Sequence, residues 1–183
     1  MNYEYYKMLQ KKELKRNIIF IGFILIFATI STYLIYNKFK DERDYKLNLP
    51  EIDATFHSGN EVEIYDYTPV RDSVGLSTKP YKITIKNNTN KGVNFSITLS
   101  DSNLKNKKYK SYERLPKSAV KVGVHEEGKE TQIYNLDDID GVLVTKKLRP
   151  KEEVNYKIRV WTTKVDLDEG NYYYTGKISV KGE

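Results

Sequence analysis

The chain has 183 residues, 31% of them charged, and no cysteine. Without cysteine there is neither a disulfide framework nor a thiolate nucleophile or metal ligand, which excludes the stapled modules of small secreted proteins. The net charge of +6 does not point to nucleic acid, because residues 1–49 carry nine basic and five acidic side chains while residues 50–183 carry 22 and 20.

Residues 1–16 end in the basic cluster KKELKR, and the next stretch, Asn17–Asn37 (NIIFIGFILIFATISTYLIYN), contains no charge. As a helix, Ile18 to Tyr36 spans roughly 28 Å, close to the hydrocarbon thickness of a bilayer. Only Thr29, Ser31 and Thr32 interrupt the apolar run, and such hydroxyls can bond back to their own helix. A cleavable signal has a shorter apolar region that ends in a small-x-small site, whereas here Tyr33-Leu34-Ile35-Tyr36 follows. Cleavage near Ala28 or Ser31 is the alternative. Five Lys and Arg precede the span and four follow it closely, a balance that the compact KKELKR cluster tips toward an inside N-terminus. The expected order is a cytoplasmic tail (1–16), a transmembrane helix (17–37), a short charged stalk (38–49) and an extracytoplasmic domain (50–183). A helix followed by a β-rich domain is also the plan of type IV pilins, but Phe27 occupies the position where their glutamate stands.

From Pro50 onward the apolar residues alternate with period two, as in half-buried strands. In YKITIKNNTNKGVNFSITLSD, Tyr81, Ile83 and Ile85 point one way and Lys82, Thr84 and Lys86 the other. Asn87–Gly92 is turn chemistry, and Val93, Phe95, Ile97 and Leu99 resume the apolar face, so this segment reads as a hairpin. Further strands are expected at Ile52–His57, Glu61–Tyr67, Ala119–His125, Thr131–Tyr134, Val142–Lys146, Glu153–Thr163 and Asn171–Lys181. With no helix outside the anchor, the pattern predicts an all-β fold, an immunoglobulin-like or jelly-roll antiparallel β-sandwich of eight or nine strands. Its core takes Val93, Phe95, Ile97, Leu99, Val120, Val122, Val124, Val154, Tyr156, Ile158, Val160, Tyr172, Tyr174, Ile178 and Val180. Lys105–Lys121 is an irregular basic region with Glu113 as its one acid, read as a solvated loop or a contact with anionic polymer or lipid headgroups.

Chemical motifs are sparse. The two histidines are His57 and His125, and His125-Glu126-Glu127-Gly128-Lys129 begins like a zinc-protease helix but has lysine where the second histidine belongs. Leu136-Asp137-Asp138-Ile139-Asp140-Gly141 lacks the first ligand of a calcium loop and reads as an acidic turn. No G-x-S-x-G and no phosphate-binding glycine loop occurs. No catalytic, cofactor or metal residue is assigned.

The order of features from Tyr81 onward, with LPKSAVKVGV, GVLVTKKLRPKEEVNYKIRVW and a closing YYYTGKISV, resembles the β-sandwich surface proteins of low-GC Gram-positive bacteria, and is distantly similar to the TasA and camelysin group of biofilm-fibre proteins. The resemblance covers about residues 80–181 and implies a surface location. Members of that group are made with cleavable signals, whereas this chain is expected to keep its helix.

The expected function is therefore non-enzymatic: a single-pass membrane protein whose outer domain binds a protein partner or an anionic envelope polymer. The alternatives are a subunit of a surface filament or secretion-related assembly, built through exposed strand edges, and, as a lesser one, an envelope hydrolase. In EEVNYKIRVWTT, alternation turns Lys157, Arg159 and Trp161 away from the core. Taken as a hairpin through Asp166–Gly170, the next strand adds Tyr173 and Lys177, giving a candidate partner-binding patch of Trp161, Arg159, Lys157, Tyr173 and Lys177. The competing account is that Trp161 is covered by a loop, packs at the sandwich edge, or has its parity reversed by a bulge near Thr162.

Overall fold

The computed structural model describes residues 3–40, 44–102 and 111–182. The chain divides into two compact units, Met1–Glu42 and Arg43–Glu183.

Helix α1 (Tyr3–Lys40) has 38 residues and is therefore about 57 Å long. Its section Lys11–Leu34 is long and apolar enough to cross a membrane. Two of the three hydroxyls that interrupt the apolar run bond back to the helix: Thr29 Oγ1 donates to the Ile26 carbonyl and Thr32 Oγ1 to that of Ala28, both at 2.8 Å. The segment expected as a tail, residues 1–16, is already helical from Tyr3.

The second unit is a two-sheet β-sandwich. One sheet runs in the spatial order β1 (Tyr45–Asn48), β2 (Ile52–Phe56), β4 (Tyr81–Asn87), β10 (Glu153–Thr162), β7 (Val120–Glu126) and β8 (Gln132–Asn135). The other runs β3 (Glu61–Tyr65), β11 (Tyr172–Gly182), β5 (Val93–Asp101) and β9 (Val142–Leu148). A two-residue strand, β6 (Glu113–Arg114), lies parallel to β11, and every other pairing is antiparallel. All of the core residues expected from alternation are buried except Val160, which is partly buried against the same cluster. Ile52, Phe56, Ile83, Ile85 and Leu148 complete that cluster.

Four local expectations are corrected. The stalk residues Tyr45–Asn48 form β1, which pairs with β2 from Tyr45↔Phe56 to Asn48↔Asp53, so the sandwich begins before Pro50. A short helix, α2 (Asp72–Gly75), lies where no element was expected. Neither expected hairpin forms, because β4 and β5 belong to opposite sheets, as do β10 and β11. The loops are arches over the core. Alternation specifies that both strands bury one face, and facing sheets satisfy this as well as neighbouring strands do.

The β4–β5 arch is held by Asn87, which is fully buried. Its Nδ2 donates to the carbonyls of Lys91 at 2.6 Å and Arg149 at 2.8 Å, and its Oδ1 accepts from the Thr89 N–H and hydroxyl, each at 2.8 Å. The acidic turn before β9 has its own backbone requirement. Gly141 has φ +78° and packs so tightly that a Cβ there would lie 2.6 Å from the Leu99 carbonyl oxygen.

Of the basic region Lys105–Lys121, residues 105–110 lie outside the described residues.

Candidate functional site

The five side chains expected as one patch lie on two sheets. Lys157, Arg159 and Trp161 project from the outer face of β10, with the expected parity and no break in register. Tyr173 and Lys177 belong to β11 in the other sheet. Trp161 and Tyr173 are 4% and 7% exposed, so neither ring is open to a partner in this arrangement. Both stand outside the connected apolar core, since each is covered on the outer side of its sheet.

What covers Trp161 is α2. A Cβ built on Gly75 would lie 2.3 Å from the indole, and one built on Gly123 in β7 would lie 3.0 Å from it, so the ring is sandwiched between two glycines. The polar edge is met as well, because Trp161 Nε1 donates to Asp72 Oδ1 at 3.3 Å, and Lys121 Nζ holds both oxygens of that carboxylate at 2.9 and 3.0 Å. Arg159 Nε donates to the Thr78 carbonyl at 2.9 Å. Thr162 adds two more ties, its carbonyl accepting from Val70 N–H at 2.9 Å and its hydroxyl donating to the Thr68 carbonyl at 2.8 Å. Together these bonds clamp residues 68–78 to the sheet, and Arg159 and Trp161 are part of the clamp. The sequence signal for it was the pair of small residues, Gly75 and Gly123, at positions with no turn to make.

Beyond the clamp the outer face is open, and a concavity of about 280 Å³ lies there. Both histidines of the chain line it, with Lys82, Thr84, Glu127, Asn155 and Lys157. The strand order explains the convergence. His57, just past β2, bonds through its N–H to the Lys82 carbonyl at 2.9 Å, Lys82 is opposite Lys157, and Lys157 is opposite His125. One transverse row thus reads His57, Lys82, Lys157, His125 across four strands. Lys157 is the one member that alternation alone placed in a candidate site. The other three come from segments far apart in the sequence.

The adjoining row contains a hydrogen-bond chain. His57 Nδ1 is 3.1 Å from Asp44 Oδ2 and its Nε2 is 3.0 Å from Thr84 Oγ1. Thr84 Oγ1 donates to Asn155 Oδ1 at 2.7 Å, and Asn155 Nδ2 donates to Glu127 Oε2 at 2.9 Å. Acid, imidazole and hydroxyl stand in the order of a hydrolytic triad. The Thr84 hydroxyl has a single hydrogen, however, and with Asn155 Nδ2 committed to Glu127 that hydrogen goes to Asn155 Oδ1.

At the other rim the two sheets are pinned by Glu126. Its carboxylate accepts from Lys146 Nζ of β9 at 2.6 Å, Lys129 Nζ at 3.0 Å and the Tyr156 hydroxyl at 3.2 Å. Burial alone pushes this carboxyl up, but the hydrogen bonds from Lys146 and Lys129, with the Lys146 charge and the Tyr156 hydroxyl, outweigh it and hold the group below the usual range. His125-Glu126 thus lies at the end of a strand, with Glu126 in structural contacts.

Compared with protein-family models, with curated proteins and with solved structures, the chain matches none of them.

Proposed function

We propose that this is a single-pass membrane protein, N-terminus inside, whose β-sandwich stands outside the cytoplasm and binds a component of the cell envelope without catalysis. The observation that carries the reading is the pairing of an apolar helix with none of its Lys11–Leu34 section buried and a separately folded sandwich that begins at the following strand. A helix of that composition is stabilised by lipid rather than by water. The open concavity on the β2-β4-β10-β7 face supplies the binding surface, and the orientation follows from the KKELKR cluster. Membrane fractionation with protease shaving of intact cells tests this. The expected result is a detergent-extractable protein whose sandwich is digested from outside, and a sandwich protected until the cells are lysed would overturn it.

A second reading, a subunit of a surface assembly, is favoured by one observation. Strands β8 and β9 end their sheets with no described strand beyond them, and Ile133 and Val142 on these edges are 38% and 46% exposed. Analytical ultracentrifugation of the detergent-solubilised chain separates the two. A monomer at high concentration supports the binding domain, and concentration-dependent growth supports assembly.

A further inference from the structure

The row across the open face has an energetic oddity. Lys82 and Lys157 are directly opposite on adjacent antiparallel strands, about 4.8 Å apart in the sheet, where like charges destabilise the pair. Both are exposed, and neither has an ion-pair partner among the described residues. Elsewhere on the same sheet lysines do find carboxylates: Lys46 pairs with Asp53 at 3.2 Å, Lys86 with Glu153 at 3.8 Å and Lys121 with Asp72 at 2.9 Å. The two nearby carboxylates are already engaged at the ends of the hydrogen-bond chain, Asp44 against His57 and Glu127 against Asn155.

We infer that the row His57, Lys82, Lys157, His125 is a binding site for a linear phosphate polymer laid across the strands. The inference rests on the proposed envelope-binding reading and names its ligand class. Four nitrogen-bearing side chains on four strands span roughly 14 Å, which matches several groups of a chain better than one small anion. The chemistry of the donors selects phosphate. The ammonium groups of Lys82 and Lys157 act as separate point donors to tetrahedral oxygens, while His57 has both ring nitrogens in the hydrogen-bond chain, and the row contains no guanidinium fork of the kind that grips a planar carboxylate, Arg159 lying two residues along β10 with its Nε on the Thr78 carbonyl. His125 Nδ1 is 3.2 Å from Thr131 Oγ1, which orients that ring at the end of the row.

The test uses the full chain in nanodiscs of neutral phosphatidylcholine, titrated with linear polyphosphate at about 0.15 M salt. Saturable binding is expected, and Lys82→Gln with Lys157→Gln should weaken it about tenfold or more. Removing two charges elsewhere, by Lys164→Gln with Lys181→Gln, should change it less than about threefold. The Lys82/Lys157 variant should keep or raise the thermal midpoint, because it relieves a repulsion, so lost binding cannot be read as lost folding. Orthophosphate should compete only weakly per phosphate group, and polyglutamate less well than polyphosphate. The site is overturned if the wild type does not bind polyphosphate, if the two double variants lose equally, or if polyglutamate binds as tightly. The envelope reading fails separately: a sandwich protected in intact cells would remove the envelope partner while the polyphosphate titration still decides the site.

Discussion

Gly75 and Trp161 are in face contact, close enough that a single added carbon on the glycine would lie 2.3 Å from the indole. A helix of four residues is thereby seated on the outside of a sheet, over a tryptophan that alternation had turned away from the core. The contact makes the clamp testable in two ways. Trp161→Ala should cost about 3 kcal/mol in urea unfolding, as large-to-small changes at buried aromatics do. Gly75→Ala should cost about 1–3 kcal/mol, since the new methyl must lift α2 from the ring. Trp161 is the chain's one tryptophan, so its emission reports the lifting directly. A red shift in Gly75→Ala is expected, and an unchanged spectrum with unchanged stability would contradict the packing.

Glu126 joins the two sheets through Lys146 and is 17% exposed at its side chain, so its hydrogen bonds should contribute about 1–3 kcal/mol. Its carboxyl is held below the usual range in the folded state. The contribution is therefore present above the unfolded-state value of about 4.3 and is lost as the pH falls through the lower folded value. Glu126→Gln should unfold more easily than the wild type at neutral pH, with the gap narrowing below about pH 4. Urea titrations between acid and neutral pH measure it. A gap that stays constant into strong acid would show that the carboxylate charge is not what matters.

Tyr174 is fully buried, and its hydroxyl is the one buried side-chain polar atom among the described residues that lacks a hydrogen-bond partner. Burial pushes the phenol well above the ordinary tyrosine range, and Asp101 adds to the shift. Removing an unsatisfied polar atom removes its desolvation cost, so Tyr174→Phe should be neutral or stabilising by about 1 kcal/mol. Chemical denaturation decides this, and a loss of similar size would mean that the hydroxyl has a partner.

Alternation made the sandwich legible because every long strand buries one face: Ile83 and Ile85 in β4, Tyr156 and Ile158 in β10, Ile178 and Val180 in β11. The same signal says nothing about which sheet a strand joins. The arches at Asn87 and Asp166–Gly170 therefore read as hairpins, and Tyr173 was placed beside Trp161. The cover over Trp161 was hidden for a related reason, since residues 68–78 are held by carbonyls and one carboxylate rather than by a periodic apolar face. Strand β1 was read as stalk because the stretch is charged and ends at Pro50, although Lys46 pairs with Asp53 of β2. The transverse row was out of reach entirely. His57, Lys82, Lys157 and His125 become neighbours only through the order β2-β4-β10-β7, which is a property of the topology and not of any one segment.

The central proposal is that α1 crosses a membrane and that the sandwich stands on its outer side. The chain contains no cysteine, so a single introduced thiol can be labelled without background. Lys157→Cys on the open face and Lys7→Cys before the span, each treated in intact cells with a membrane-impermeant maleimide, test the claim most directly. The account predicts labelling at position 157 in intact cells and at position 7 only after permeabilisation. Labelling at position 7 with protection at position 157 would contradict it.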